Sequence, residues 1–174
     1  MASEGKEFES SIEESCKEQK IYYFRVRDVN PMALKSGFAV PKNKFDTLIY
    51  YKNHLFPIEM KSTKGNKISF SESIIKANQI HNLKEACEYE GLIPGFIFNF
   101  REHDNKTYFV HINDFLKYKN IAENKLEHTY KSKVNKSSIP IGICEEIGTE
   151  VISIKKKVKF RYYINKLLDT LTSK

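Results

Sequence analysis

Residues 44–61, KFDTLIYYKNHLFPIEMK, decide the fold of this chain. Two runs within it, 44–51 and 54–61, are rich in aromatic and β-branched residues, which favour strands. The two runs are separated by Lys52 and Asn53, a connection short enough for a tight turn. The stretch therefore predicts a β-hairpin at the centre of the molecule.

The second strand of this hairpin carries a glutamate and a lysine in an unusual place. Its apolar positions alternate and are expected to face the core: Phe56, Ile58 and Met60. Because side chains alternate along a strand, Glu59 and Lys61 share the opposite face. Asp46 lies in the first strand, and the hairpin is expected to bring it close to Glu59. The pattern thus predicts two carboxylates and an ammonium group at one end of the hairpin.

Two adjacent carboxylates repel, and a divalent cation would relieve that repulsion. One or two carboxylates completed by water and phosphate oxygens are typical of a Mg²⁺ site, with Mn²⁺ as the alternative. A metal lowers the pKa of bound water, and a neighbouring lysine can orient that water. The predicted chemistry is metal-dependent hydrolysis of a phosphodiester, although a solvated Glu-x-Lys pair on a strand edge is a common alternative.

The rest of the chain predicts helices and strands in alternation. The helices are expected over 3–19, with Ser3 as N-cap, over 71–90, capped by Ser69 or Ser71, and in the C-terminal tail. The other strands are expected over 20–27, 95–101 and 107–112, and residues 144–157 are read as an insertion that forms a hairpin with a basic edge. We expect one domain over 1–174, an α/β fold with a central mixed sheet flanked by helices.

Composition narrows the class of protein. Hydrophobic residues make up 40% of the 174 residues, which is typical of a globular chain. The net charge is +7, which favours an anionic partner such as nucleic acid. The sequence lacks an apolar run of membrane-spanning length and a secretory signal. Its three cysteines are widely spaced and form no CxxC motif, which predicts free thiols. We therefore expect a cytoplasmic protein with free thiols and no membrane partner.

Two helical residues depart from the expected pattern. Gln79 falls within the apolar stripe formed with Ile75 and Leu83, so its amide needs a polar partner. Such a partner could be the Glu59 face or nearby backbone. Glu9 lies near the inward face of the first helix, where a solvated glutamate is the ordinary alternative.

In sequence order, these residues resemble the RecU-type Holliday junction resolvases of Gram-positive bacteria and their phages. Asp46 stands thirteen residues before Glu59, as in that family. The segments that carry the resemblance are GKEFE at 5–9, EMKSTKGNKISF at 59–70 and Gln79-Ile80. Glu4 replaces the family's usual arginine, and Asn78 replaces the histidine before the glutamine.

The resemblance implies a restriction-endonuclease-like core of the PD-(D/E)XK type, with a short stalk-like excursion at 28–44. It implies an active-site set of Glu9, Asp46, Glu59, Lys61 and Gln79. Within that set, Asp46 and Glu59 would bind the metal with the Met60 carbonyl, and Lys61 would serve the attacking water. Glu9 and Gln79 would support the metal or the water. The family acts on four-way DNA junctions as a homodimer that cuts symmetrically.

The basic residues expected to contact DNA lie around these motifs and in the excursion: Lys6, Arg25, Arg27, Lys35, Lys42, Lys44, Lys64 and Lys67. Aromatic residues such as Tyr22, Tyr23 and Tyr50 are expected in the core or at a dimer contact. Two other functions stay open at this point. One is a general PD-(D/E)XK endonuclease for duplex or branched DNA, and the other is a non-catalytic DNA-binding module.

Overall fold

The computed structural model describes residues 4–26 and 43–173 as an α/β fold built around a mixed six-stranded sheet. The helices are α1 (Glu4–Glu18), α2 (Ala77–Ala86), α3 (Ile112–Asn124), α4 (Ile141–Ile147) and α5 (Ile164–Thr172). The strands are β1 (Tyr22–Arg25), β2 (Thr47–Tyr51), β3 (His54–Thr63), β4 (Lys67–Ser69), β5 (Gly95–Phe100), β6 (Lys106–His111), β7 (Ser138–Pro140), β8 (Thr149–Glu150), β9 (Ser153–Lys155) and β10 (Phe160–Tyr162). The predicted fold class is confirmed.

The main sheet has the strand order β1-β2-β3-β5-β6-β8. Only β3 and β5 pair in parallel, and the other neighbours in this sheet are antiparallel. The pairs β4–β7 and β9–β10 form two small sheets of their own. The predicted hairpin is confirmed as β2–β3, and its turn residues Lys52 and Asn53 both have positive φ, 44° and 63°. Such a turn matches the right-handed twist of the two strands.

Two apolar layers enclose the sheet. One layer joins α1 and α5 to the face of β3 that carries Phe56, Ile58 and Met60, as predicted. The other layer packs α2, α3 and α4 against the aromatic residues of β5 and β6, such as Phe96 and Phe98. Because both faces of β3 are covered, the carboxylate of Glu59 lies inside the protein and not on an open surface.

The helix predicted over 71–90 is wrong at both ends. A turn occupies the first residues, where the amides of Ile74 and Ile75 donate to the Ser71 carbonyl. Ile75 is buried in the second layer and holds this turn in place. Helix α2 therefore begins six residues later than predicted, after Lys76, and ends at Ala86. Neither predicted serine caps it.

The sequence did not predict α3, β4, β7 or α4, and β8 pairs with β6 in the main sheet and is not part of a separate hairpin. The predicted C-terminal helix is present as α5, and a hairpin with a basic edge is present as β9–β10, later in the chain than predicted. Arg27, Lys35, Lys42 and most of the predicted excursion at 28–44 lie outside the described residues. Within the described ranges no helix is long and apolar enough to cross a bilayer. All three cysteines are free thiols, as expected.

Candidate active site

The pairing of β2 with β3 determines the position of the two predicted carboxylates. Thr47 pairs with Ile58, so Asp46, one residue earlier, comes next to Glu59. The Asp46 amide donates a hydrogen bond to Glu59 Oε1 at 3.2 Å. Asp46 is exposed, whereas Glu59 is 1% exposed. One carboxylate of the pair is therefore buried and the other is accessible to solvent.

The second carboxylate oxygen of Glu59 has two further partners. Gln79 on α2 donates from Nε2 to Glu59 Oε2, and Lys61 Nζ lies 3.5 Å from the same oxygen. The other end of the Gln79 amide is also bonded, because its Oε1 accepts from the Lys76 amide at 3.2 Å. The buried glutamine is thus fixed at both ends. The structure places Glu59, Lys61 and Gln79 together, which is one of the two arrangements that the sequence left open for Gln79.

The electrostatic state of Glu59 is unusual. Burial, together with the side-chain hydrogen bond and the charge of Asp46, raises the pKa of Glu59 to about 9, while Lys61 and the Asp46 amide act in the opposite direction. Ionised Glu59 beside Asp46 therefore destabilises the folded state when no cation is bound. A divalent cation between the two carboxylates would remove that cost, so the donors fit a hard cation. Among the described residues no group of three or more His, Cys, Asp or Glu side chains is placed to bind a metal, so water and main-chain oxygens would complete the shell.

Glu9 lies on the other side of this pair, in a cleft of about 890 Å³. The Arg25 guanidinium forms an ion pair with Glu9, with 2.6 Å between Nη2 and Oε2. Burial raises the pKa of Glu9, Arg25 and Lys61 oppose that rise, and Asp46 adds to it. The cleft is lined by residues of α1, β1 and the start of β2: Glu9, Glu13, Tyr23, Phe24, Arg25, Val26 and Asp46. All five predicted active-site residues thus lie in one region, and their roles remain predictions.

Met60 and the predicted DNA-contact residues have varied surroundings in the structure. Met60 packs its side chain into the core, so any contact with a metal would come from its main chain. Lys44 pairs with Glu85, with 3.1 Å between Nζ and Oε1. Lys6, Lys64 and Lys67 are exposed, and Arg25 is held by Glu9. Their predicted contacts with DNA remain predictions.

Arg101, which follows β5, was not predicted as a site residue. Its amide donates to the Thr63 carbonyl at 2.9 Å, and its Nη1 donates to Ser62 Oγ at 3.0 Å. Ser62 in turn donates to Asn99 Oδ1 at 2.7 Å. The parallel pairing of β3 with β5 brings these residues together, and no local pattern in the sequence indicates that pairing.

A solved structure has a similar architecture. The match to the Archaeoglobus fulgidus protein Hjc, a Holliday junction resolvase from an archaeal hyperthermophile, has a TM-score of 0.53 and 13% identity. It covers 84% of this chain and 95% of the archaeal chain. Together with the mixed sheet, this likeness defines a protein with a restriction-endonuclease-like fold, as predicted.

No protein-family model matches the sequence. A curated relative from Bacillus subtilis (strain 168), the "SPbeta prophage-derived uncharacterized protein YotM", is 62% identical over 172 residues. The alignment covers 99% of this chain and 88% of the relative. The chain therefore belongs to the family of this prophage-derived protein. The relative's prophage origin supports the expected connection with phages.

Proposed function

We propose that this chain is a metal-dependent endonuclease that resolves four-way DNA junctions with symmetric nicks, in the manner of the RecU-type enzymes it resembles. The observation that carries the proposal is the buried Glu59, held by Gln79 and by the Asp46 amide, with Lys61 beside it. A buried carboxylate next to a second carboxylate is costly, and such arrangements are concentrated at functional sites. The restriction-endonuclease-like fold adds to this support.

In this proposal, Asp46 and Glu59 would hold Mg²⁺, or Mn²⁺ in its place, together with the Met60 carbonyl. The bound metal would supply a water of lowered pKa and positive charge next to the phosphate. Asp46 faces solvent, which leaves its side of the pair open to the substrate. Glu59 faces the interior, where its two hydrogen-bond donors fix its orientation.

The other residues would position the reacting groups. Lys61 would donate a hydrogen bond from Nζ to the attacking water or to a phosphate oxygen, offsetting charge that develops there. Gln79 would keep Glu59 in one rotamer, because its own amide is fixed by Lys76. Glu9, which is held by Arg25, would support water on the open side of the site.

The test is cleavage of a labelled four-way junction and of a matched linear duplex, each in Mg²⁺ or in EDTA. We expect paired nicks at symmetry-related positions of the junction in Mg²⁺ only, with the duplex left intact. Equal cutting of the duplex would instead indicate a general endonuclease. Tight binding of the junction without cutting in either Mg²⁺ or Mn²⁺ would indicate a DNA-binding module and contradict the proposal.

Two nicks across a two-fold symmetric junction require two active sites, so we further propose a homodimer. An aromatic patch on the β1–β2 edge of the sheet fits such a contact. Tyr22 and Tyr50 are paired across the two strands, and both are exposed, as is Phe24. Tyr23, in contrast, packs against the core. A second copy that presents the same patch would bury these rings in a self-complementary contact.

Replacing Phe24 by glutamate is expected to convert the dimer into a monomer, because the new charge would lie within the buried contact. Light scattering after gel filtration measures this: the wild type is expected near twice the chain mass of 20.4 kDa, and the variant near that mass. Val158→Glu changes an exposed apolar residue elsewhere and should stay dimeric. An unchanged mass for Phe24→Glu would place the dimer contact on another surface.

A further inference from the structure

A second groove opens beside the candidate active site. It has a volume of about 480 Å³ and lies between α1, the end of β5 and the β9–β10 hairpin. We propose that this hairpin groove binds the phosphate backbone of the DNA strand that leaves the active site. The inference rests on the proposed function and adds a substrate-binding surface to it. The groove residues used here are Lys6, Asn99, Arg101, Lys159 and Phe160.

The groove has the chemistry that a DNA strand requires. Lys6 and Arg101 supply positive charge, the charge of Lys159 is paired with Glu14, and Glu7 is the single acidic side chain among the described residues that line the groove. The ring of Phe160 also lines it, and an apolar surface between cationic groups suits the sugars of a strand whose phosphates are neutralised. Phosphate contacts of this kind provide most of the sequence-independent affinity for DNA.

Ion pairs to α1 hold the hairpin over the groove. Lys159 pairs with Glu14 at 2.5 Å, while Lys156 and Arg161 pair with Glu18 at 3.2 Å and 2.8 Å. A single exposed ion pair contributes little, but three pairs between the same two elements restrict the orientation of the hairpin. The basic side chains Lys156, Lys159 and Arg161 are therefore held by acidic partners on α1 and are not simply solvated.

The pairing of β9 with β10 determines which basic side chain of the hairpin is available to a ligand. Lys155 is directly opposite Phe160, so both side chains lie on the same face of the hairpin. Lys155 is exposed and lies next to the groove, on the hairpin face that carries Phe160. Val158 at the tip is 89% exposed, more than the other large apolar residues that the structure describes. The hairpin thus exposes a basic side chain, Lys155, and an apolar tip, Val158, next to the groove.

Helix α1 connects this groove to the candidate active site. Lys6 and Glu9 lie one helical turn apart on it. Arg101 donates to Ser62 near the end of β3, on the face of the strand opposite Lys61, because successive side chains alternate. A DNA strand that passes Glu9 would therefore meet Lys6 next and then Arg101, both of which line the groove. This continuity favours DNA over an unrelated anionic ligand.

The test is the affinity of the full chain for a labelled four-way junction in EDTA, measured across a range of salt concentrations. The triple variant Lys6→Ala/Arg101→Ala/Lys155→Ala is expected to bind about 10- to 100-fold more weakly. Its log–log salt slope should fall by about 2 to 3, since each lost phosphate contact removes about 0.9. Lys117→Ala, an exposed lysine on α3, is the matched control and should bind like the wild type.

Because Arg101 also bonds Ser62, Lys155→Glu is measured alone as a surface variant that leaves this bond intact. We expect it to weaken binding several-fold, with an unchanged melting temperature. Affinity within about twofold of wild type for both variants, with an unchanged salt slope, would overturn the inference. A wild type that cuts junctions while both variants bind normally would refute the groove alone. Groove-dependent binding without cutting would refute the proposed nuclease but support the groove, and a wild type that binds no DNA would refute both.

Discussion

Replacing Glu59 by glutamine is expected to lower the rate of junction cleavage by about 1,000-fold or more. The substitution keeps the size of the side chain, but it leaves one acceptor oxygen where Glu59 has two and removes the charge that would bind the metal. Glu59 is 1% exposed and accepts from Gln79, so no other carboxylate can take its place without a rearrangement. The measurement is single-turnover cleavage in Mg²⁺ with the protein in excess.

Binding of the junction separates this effect from misfolding. In EDTA, Glu59→Gln should bind the junction within about threefold of the wild type, because the buried carboxylate makes no phosphate contact of its own. Glu123→Gln, an exposed glutamate on α3, is the matched control and should cut normally. Cleavage by Glu59→Gln at more than about a tenth of the wild-type rate would contradict the metal-ligand role.

The same variant has a second expected effect, on stability without metal. Burial and Asp46 raise the pKa of Glu59 from 4.5 to about 9, so the folded state favours the protonated form. Stability from this group is therefore fully present below pH 4.5 and is lost as the pH rises towards 9. Glutamine does not ionise, so the variant lacks this loss. In EDTA, its melting temperature relative to that of the wild type should therefore rise between about pH 5 and about pH 8. A difference that does not change with pH would contradict the assigned shift.

The part of the site that could be predicted depends on local patterns. The β2–β3 hairpin follows from alternation and a short turn, and that hairpin alone brings Asp46 next to Glu59. The place of Gln79 in an apolar stripe indicated that its amide needs a polar partner, and the Glu59 face was one of two candidates, although the helix begins later than predicted. The predicted start failed because Ile75 is buried and holds a turn, so a tertiary contact overrode the serine capping signals.

The part that could not be predicted depends on contacts between distant segments. The parallel pairing of β3 with β5 places Arg101 beside Ser62. The two strands are far apart in the sequence, so no local hydrophobic pattern indicates that they pair. The hairpin groove is similar, because it forms only when β9–β10 packs on α1 through ion pairs such as Lys159–Glu14. The basic run at 155–161 was visible in the sequence, but its contact with the acidic face of α1 was not.

The second large effect is expected at Lys61. Replacing it by methionine should lower the cleavage rate at saturating protein by about 100- to 1,000-fold, with a change in junction affinity in EDTA of less than about threefold. Methionine keeps most of the length and volume of lysine, but it has no ammonium group to donate a hydrogen bond to the water or the phosphate. Lys61 Nζ lies 3.5 Å from Glu59, so the ammonium is held at the site even without substrate. The measurement is again single-turnover cleavage in Mg²⁺.

Lys64→Met supplies the matched comparison, because Lys64 lies just beyond the end of the same strand and is exposed. It should weaken junction binding while leaving the cleavage rate at saturation near that of the wild type. Lys61→Arg should not restore the rate, since a planar guanidinium cannot direct a single donor as an ammonium does. If Lys61→Met instead lost affinity and kept its saturated rate, Lys61 would be a DNA contact like Lys64. The chemical role would then have to lie with Glu9 and Arg25, the partly exposed ion pair that lines this cleft.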